Sequence, residues 1–137
     1  MAYFANADEV HEYIGGVFRA AADHPTQGPK MAAAGITMAL HYTDPACDLT
    51  VHFHEPRLEV VEGADERPVD VHLSMRADDA HAFWRGEYNL AVGLARGQAK
   101  AKGPVSKILK LVPLTKPLFP IYRELTAAKD GAAPSAA

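Results

Sequence analysis

ITMALHYT (Ile36–Thr43) and LTVHFH (Leu49–His54), separated by a turn at Asp44-Pro45, decide the fold class. Ile36, Met38, Leu40 and Tyr42 alternate with Thr37, Ala39, His41 and Thr43, and Leu49, Val51 and Phe53 alternate with Thr50, His52 and His54. Successive side chains of a strand point to opposite faces, so this spacing predicts a sheet with one apolar and one polar face. Two more stretches extend it. Pro56 and Arg57 precede a short strand around Leu58, Glu59, Val60 and Val61. After the polar connection 63–66, Val69, Val71, Leu73 and Met75 alternate with Asp70, His72, Ser74 and Arg76. Four strands joined by short connections are expected to be antiparallel neighbours in sequence order.

Helical spacing flanks these strands. Upstream, Val10, Tyr13, Ile14, Val17, Phe18 and Ala21 recur at i, i+3, i+4 and i+7. Asn6 is placed to cap this helix, Glu9 stands in the capping-box position, and Asp8, Glu9 and Glu12 suit its N-terminal end. Gly15 and Gly16 weaken it by up to ~1 kcal/mol each relative to Ala, which points to close packing rather than propensity. Asp23-His24-Pro25 ends it, and a Gly/Pro/Gln loop is expected through Pro29 and Lys30. Downstream of Arg76 the period changes again. Asp78 is expected to cap a short helix carrying Phe83 and Trp84 and stopped near Gly86, and Asn89 to cap a second one, carrying Leu90, Leu94 and Ala95 and ended by Gly97. Residues 98–102 alternate long polar with small side chains, a fifth strand between Gly97 and Gly103. Pro104 suits the first turn of a last helix with Ile108, Leu109, Leu111 and Val112. Pro113, Pro117 and Pro120 interrupt the apolar run that follows, so its residues are expected to pack as short, separate pieces. The reading is one α+β domain over residues 1–130 and a disordered tail over 131–137.

The chain has 137 residues, 48% hydrophobic and 23% charged, the make-up of one globular domain with a real core. A single cysteine, Cys47, excludes an internal disulfide framework and a Cys-rich zinc site. The start lacks a basic residue followed by an apolar run, and no window approaches ~18 apolar residues, so a soluble, cytoplasmic protein is expected. The net charge of −3 is unevenly spread. Residues 1–95 hold 6 basic and 15 acidic side chains, residues 96–137 hold 8 and 2, and no acid lies between Arg96 and Arg123. The plainest reading of the basic segment is a solvated face. Its charges are diluted among aliphatics with no arginine-rich arm, so nucleic acid is the partner it suits least; an anionic lipid or small ligand suits it better.

Catalytic chemistry finds little support. There is no phosphate-binding loop, dinucleotide-binding glycine pattern or Gly-x-Ser-x-Gly elbow. Ser74 and Ser106 have no His and Asp partners at informative spacing, Cys47 reads as an incidental turn residue, and Asp78-Asp79 is better explained by capping. No cofactor is implied. Histidines make the one sharp alternative: His52 and His54 share a strand face, and His41 and His72 sit on the polar face of theirs, so four imidazoles can share one sheet surface. A metal needs three or four such ligands, and a solvated sheet face where histidine is tolerated is the simpler account.

The order helix, four strands, paired short helices, fifth strand, C-terminal helix resembles the sterol carrier protein-2 family of lipid-binding domains, over about residues 6–125. The likeness is strongest from Ala82-Phe83-Trp84-Arg85-Gly86 through Gly97-Gln98-Ala99-Lys100-Ala101-Lys102-Gly103. Gly86, Ala91 or Ala95, Gly97, Lys100 and Gly103 fit the family pattern; Gln98, Ala99, Ala101 and Pro104 depart from it. The resemblance implies a five-stranded, mostly antiparallel sheet with helices over one face, enclosing an apolar tunnel for a fatty acid, fatty acyl-CoA or sterol-like lipid. Small Ala99 and Ala101 on an inner face leave room for a guest. The expected tunnel wall takes Val17 and Phe18 from the first helix and Met38, Leu40, Val51, Phe53 and Leu73 from the strands. Phe83, Trp84, Leu90 and Leu94 come from the paired helices, and Ile108, Leu109, Val112, Leu118 and Phe119 from the C-terminal segment. Lys100, Lys102, Lys107, Lys110 and Lys116 are the candidates for an anionic headgroup or transient contact with an anionic membrane. The alternatives are a small enzyme of the nuclear-transport-factor-like, ketosteroid-isomerase cone fold, and an accessory module whose histidine-bearing face is a partner or metal site. Monomer and homodimer both remain open.

Overall fold

The computed structural model describes residues 2–63 and 65–131. Helix α1 (Ala7–Asp23) starts at Asn6, whose side chain accepts from the Glu9 N–H at 3.0 Å. Glu9 reaches one residue beyond a capping box: its Oε1 accepts from the Ala5 N–H at 2.9 Å. Val10, Ile14, Val17 and Phe18 are buried, and four such side chains at about 1.5–3 kcal/mol each outweigh two glycines at about 1 kcal/mol each. Close packing does not demand those glycines. A Cβ on Gly16 would meet Leu125 at an ordinary 3.6 Å, and one on Gly15 only the flexible Arg19 guanidinium of the same helix.

The loop expected after Pro25 is a short helix, α2 (Gln27–Ala32). Pro29 falls in its first turn, where an N–H has no helical acceptor to lose. His24 Nδ1 accepts from the Thr26 and Gln27 amides at 3.2 and 3.0 Å, a cap that an imidazole rarely advertises in sequence.

Strands β1 (Ile36–Thr43), β2 (Cys47–Phe53), β3 (Glu59–Glu62), β4 (Val71–Arg76) and β5 (Lys100–Lys102) form one mixed, mostly antiparallel sheet in the order β3-β2-β1-β4-β5. The expected antiparallel neighbours hold for β1 with β2 and β2 with β3, and fail for β4. It crosses to the far side of β1 and runs parallel to it, Met38 opposite Val71 and Tyr42 opposite Met75. The link from residue 63 to residue 70 makes the crossing. Such a link spans up to ~26 Å, while three strand spacings need only ~15 Å, so no helix is required. It is pinned at both ends. The Gly63 N–H donates to Asp48 C=O at 2.8 Å, and Asp70 donates its N–H to Thr37 C=O while its Oδ2 accepts the Thr37 N–H at 2.7 Å.

The helices that follow cover the inner face: α3 (Ala77–Trp84), α4 (Leu90–Ala95), α5 (Val105–Thr115), a 3₁₀ turn (Lys116–Leu118) and α6 (Phe119–Gly131). Asn89 caps α4 as expected, accepting from the Val92 N–H at 3.1 Å. Asp78 does not cap α3, which begins behind Arg76; its Oδ1 instead accepts from the Tyr3 N–H at 2.9 Å and ties down the N-terminal segment. The proline-bearing C-terminal segment forms two helices, α5 and α6, joined by the 3₁₀ turn; Pro117 and Pro120 fall in first turns, and Pro113 alone lies inside a helix. Gly131 closes α6, and the rest of the expected tail, 132–137, lies outside the described residues. Among those described, no helix is long and apolar enough to cross a membrane.

One histidine locks the N-terminal segment, α3 and α6 together. His81 stacks on Tyr3 with ring centroids 3.7 Å apart, and its Nδ1 lies 2.7 Å from the Tyr122 hydroxyl. Burial, with Arg85 adding to it, pushes the imidazole below its usual range. A lowered folded-state value means that the unfolded chain takes up this proton first. The contribution is therefore full above about pH 6.5 and is lost as the pH falls below that toward the folded value. Melting temperature should fall between about pH 7 and pH 5, and less steeply in His81→Gln. An identical slope in the variant would contradict this.

Candidate functional site

Between the inner sheet face and the helices lies a cavity of about 60 Å³. Phe18 and Met31 approach from α1 and α2, Met38, Leu40, Tyr42, Phe53, Leu73 and Met75 from the sheet. Ala80, Phe83, Trp84 and Leu90 come from α3 and α4, and Ile108, Leu111, Val112 and Thr115 from α5. The wall has no charged side chain. Thr115 donates its hydroxyl to Val112 C=O at 2.6 Å, and burial pushes the Tyr42 phenol far above its ordinary range, so neither offers a proton readily. The space admits a few water-sized groups, and a larger guest requires the wall to move. Met31, Met38 and Met75 all face it, three of the chain's four methionines, and unbranched thioethers re-pack at low cost.

Ten expected residues reach this wall: Phe18, Met38, Leu40, Phe53, Leu73, Phe83, Trp84, Leu90, Ile108 and Val112. Val17, Val51, Ala99 and Leu118 are buried elsewhere in the core, Leu94 and Ala101 are half-buried, and Leu109 is exposed. Tyr42 and Met75 belong to the same alternations as Leu40 and Leu73, so strand period already marked them. Leu111 and Thr115 follow Ile108 at i+3 and i+7 on one helix face. Met31 lies in α2, whose Gly/Pro/Gln composition reads as loop, and Ala80 has no signal beyond its spacing from Trp84.

An open groove of about 710 Å³ adjoins the cavity, between the α3–α4 link and α5. Phe83, Leu90 and Val112 line both hollows, and Leu109, Phe119 and Lys116 lie on the groove side alone. Tyr88 forms part of the groove wall, and its buried hydroxyl has no hydrogen-bond partner. It rests on Gly93, where a Cβ would come within 2.0 Å of the hydroxyl. Of the five lysines singled out, Lys116 alone reaches the groove. Lys100 and Lys102 stand opposite Ser74 and His72 on the outer sheet face, away from the cavity. Lys107 and Lys110 are exposed on other flanks of α5.

The outer face holds the histidines, in two separate groups. His41 Nε2 lies 2.9 Å from His72 Nδ1, and His41 Nδ1 2.9 Å from Asp48 Oδ1. The buried His52 is held between Asp65 Oδ2 at 2.8 Å and Thr37 Oγ1 at 2.9 Å, with His54 Nε2 3.1 Å from the same hydroxyl. In a neutral His52 whose Nε2 proton goes to Asp65, the Thr37 hydroxyl donates to Nδ1 and is left to accept from His54. Hydrogen bonds from Arg67 and His52 hold the Asp65 carboxyl well below the usual carboxylate range. Among the described residues no group of three or more His, Cys, Asp or Glu is arranged to hold a metal. Cys47 Sγ lies 3.1 Å from His11 Nε2, but burial and the nearby Asp48, Glu62 and Asp8 push its thiol up to about 11, so it stays protonated and a poor nucleophile.

No protein-family model matches the chain, and no curated protein does. Solved structures do. A sterol carrier protein domain 2 of Helicoverpa armigera matches with a TM-score of 0.66 at 15% identity, covering 87% of this chain and 94% of that one. Palmitated SCP2L2 from Aedes aegypti matches at 0.60 and 17% identity, over 78% of this chain and 94% of that one. The sec-alkylsulfatase Pisa1 from Pseudomonas sp. matches at 0.55 and 16% identity, over 62% of this chain and 14% of its own length. The chain has the sterol carrier protein-2-like fold. That agrees with the resemblance read from residues 82–103 and with the α+β class.

The Thr37 network is a stability element that can be checked. Thr37→Val leaves His52 Nδ1 and His54 Nε2 without their partner at nearly constant volume, and should cost about 1–3 kcal/mol in urea unfolding. Thr37→Ser should recover most of it. Equal stability of all three proteins would contradict the network.

Proposed function

We propose that this chain is a non-catalytic lipid-binding protein that holds a fatty acid, fatty acyl-CoA or sterol-like lipid in its inner cavity, as a carrier or a buffer. The observation that carries the reading is the wall itself: no charge, two satisfied or inert hydroxyl-bearing residues, and three methionines around a space that is already open at about 60 Å³. A core selected only for stability closes such space, since each lost contact costs free energy. The likeness to a palmitated protein of the same fold supports an acyl guest. Occurrence of the fold within a much longer sulfatase supports the accessory-module alternative more than a catalytic role for the domain. The cone-fold enzyme alternative carries long strands after its helices, whereas the described residues after β5 form α5 and α6.

Native mass spectrometry of the purified protein should show a co-purified lipid. Ligand at about 100 times its dissociation constant adds about 2.7 kcal/mol of stability, a rise in melting temperature of roughly 10 °C for a chain of this size. An empty protein whose melting temperature ignores fatty acids, acyl-CoAs and sterols alike would overturn the proposal.

Contact with an anionic membrane is proposed for the basic segment. Val105 and Leu109 are exposed apolar residues on α5, beside Lys107 and Lys110, and a lysine near an anionic surface contributes about 1 kcal/mol. Reversing both charges, Lys107→Glu with Lys110→Glu, should lower partitioning to anionic vesicles at least about tenfold and leave neutral vesicles unaffected. Unchanged partitioning would count against it.

A further inference from the structure

We infer that the groove beside α5 receives the carboxylate of a single-chain fatty acid, whose tail enters the cavity between Phe83, Leu90 and Val112; this rests on the lipid-binding reading above. Those three side chains belong to both walls, so the partition between groove and cavity is one side chain thick. A polymethylene chain is about as wide as one such side chain, so its entry asks for rotamer changes there and for the methionine-ringed wall beyond to give way. A fused-ring body needs the helices themselves to part.

Charge selects the head. Two charged residues line the groove, Glu87 and Lys116. Glu87 Oε1 is engaged by Arg85 Nε at 3.3 Å, while Lys116 forms no ion pair among the described residues. Lys116 is therefore the unpaired charge of the groove wall, and the groove adjoins the uncharged cavity through the three shared side chains. An acidic head inside the cavity would be stripped of water with no cation to meet it. Left in the groove, it keeps part of its hydration and gains the ammonium.

Tyr88 supplies a second donor. Its hydroxyl is shut against Gly93 with nothing to bond, which is costly for a buried polar group. The ring already lines the groove, so rotation toward a bound carboxylate gives the hydroxyl an acceptor that the empty protein lacks. Binding is then favoured both by the new hydrogen bond and by relief of an unpaired one. Lys116 and Tyr88 together offer two donors to the two oxygens of one carboxylate.

Trp84 is the single tryptophan and lines the cavity, so its emission reports occupancy. Palmitate and its methyl ester are titrated against the wild type, Lys116→Ala and Tyr88→Phe. The wild type should prefer palmitate. Lys116→Ala should weaken palmitate about fivefold and the ester less than about twofold, with the palmitate difference shrinking in high salt. Tyr88→Phe should raise the melting temperature of the empty protein yet weaken palmitate, a pairing of opposite signs that a purely structural role does not produce. If both ligands bind the wild type and Lys116→Ala changes neither, or both equally, the groove assignment is overturned while the lipid-binding reading stands. Unaltered palmitate affinity in Tyr88→Phe overturns the part given to the hydroxyl. If neither ligand binds the wild type, the lipid-binding reading falls and the inference with it.

Discussion

Asp70 holds both backbone polar groups of Thr37, donating its N–H to the carbonyl and accepting the Thr37 N–H on its carboxylate. The rest of the sheet depends on that clasp. It fixes where the link from β3 lands, and so places β4 beside β1 in parallel register instead of beside β3. With β1 in the middle, Met38, Leu40 and Tyr42 project inward between the inward residues of β2 and β4. The same link covers part of the outer face, which is why Thr37 and His52, polar residues on the nominally solvated side, are buried at 3% and 6% exposure. The polar side chains there are satisfied by one another, through Asp65 and His54, so the burial carries no orphaned group.

The inner side follows a different physical rule. Helix α1, the strands and α5 pack an apolar interior in which most side chains are fully enclosed, yet the centre is left with residual space ringed by methionine. Branched aliphatics would have filled it with fixed rotamers; thioethers leave it adjustable. The groove beside it differs in kind, being open, partly polar and charged at one end. The two hollows meet at Phe83, Leu90 and Val112, where the α3–α4 link crosses the face of α5. Gly86 makes that link close-fitting. It holds φ at +82°, and a Cβ there would come within 3.2 Å of the Phe119 ring.

Strand and helix periods in the sequence identify most of the architecture: the apolar face of α1, the alternations of β1, β2 and β4, the cap at Asn89 and the paired short helices around Trp84. They also mark ten of the sixteen residues around the cavity. The misses share a cause. Leu109 and Val17 obey the right period but sit a fraction of a turn from the wall, and period alone cannot say which arc of a helix meets which neighbour. Lys100 and Lys102 are close in sequence to the inward alanines, but alternation sends them to the opposite face. Tyr88 carries no signal at all, since its importance comes from Gly93, a residue five positions away that leaves room for its hydroxyl.

The sequence by itself determined the elements and their inward faces, because those depend on spacing along one strand or helix. Only the tertiary structure decided the strand order, the separation of the histidines into two groups, and the boundary between cavity and groove. Each of these depends on how residues distant in the chain meet, such as Asp70 with Thr37 or Val112 with Phe83, and local periodicity contains no term for such meetings.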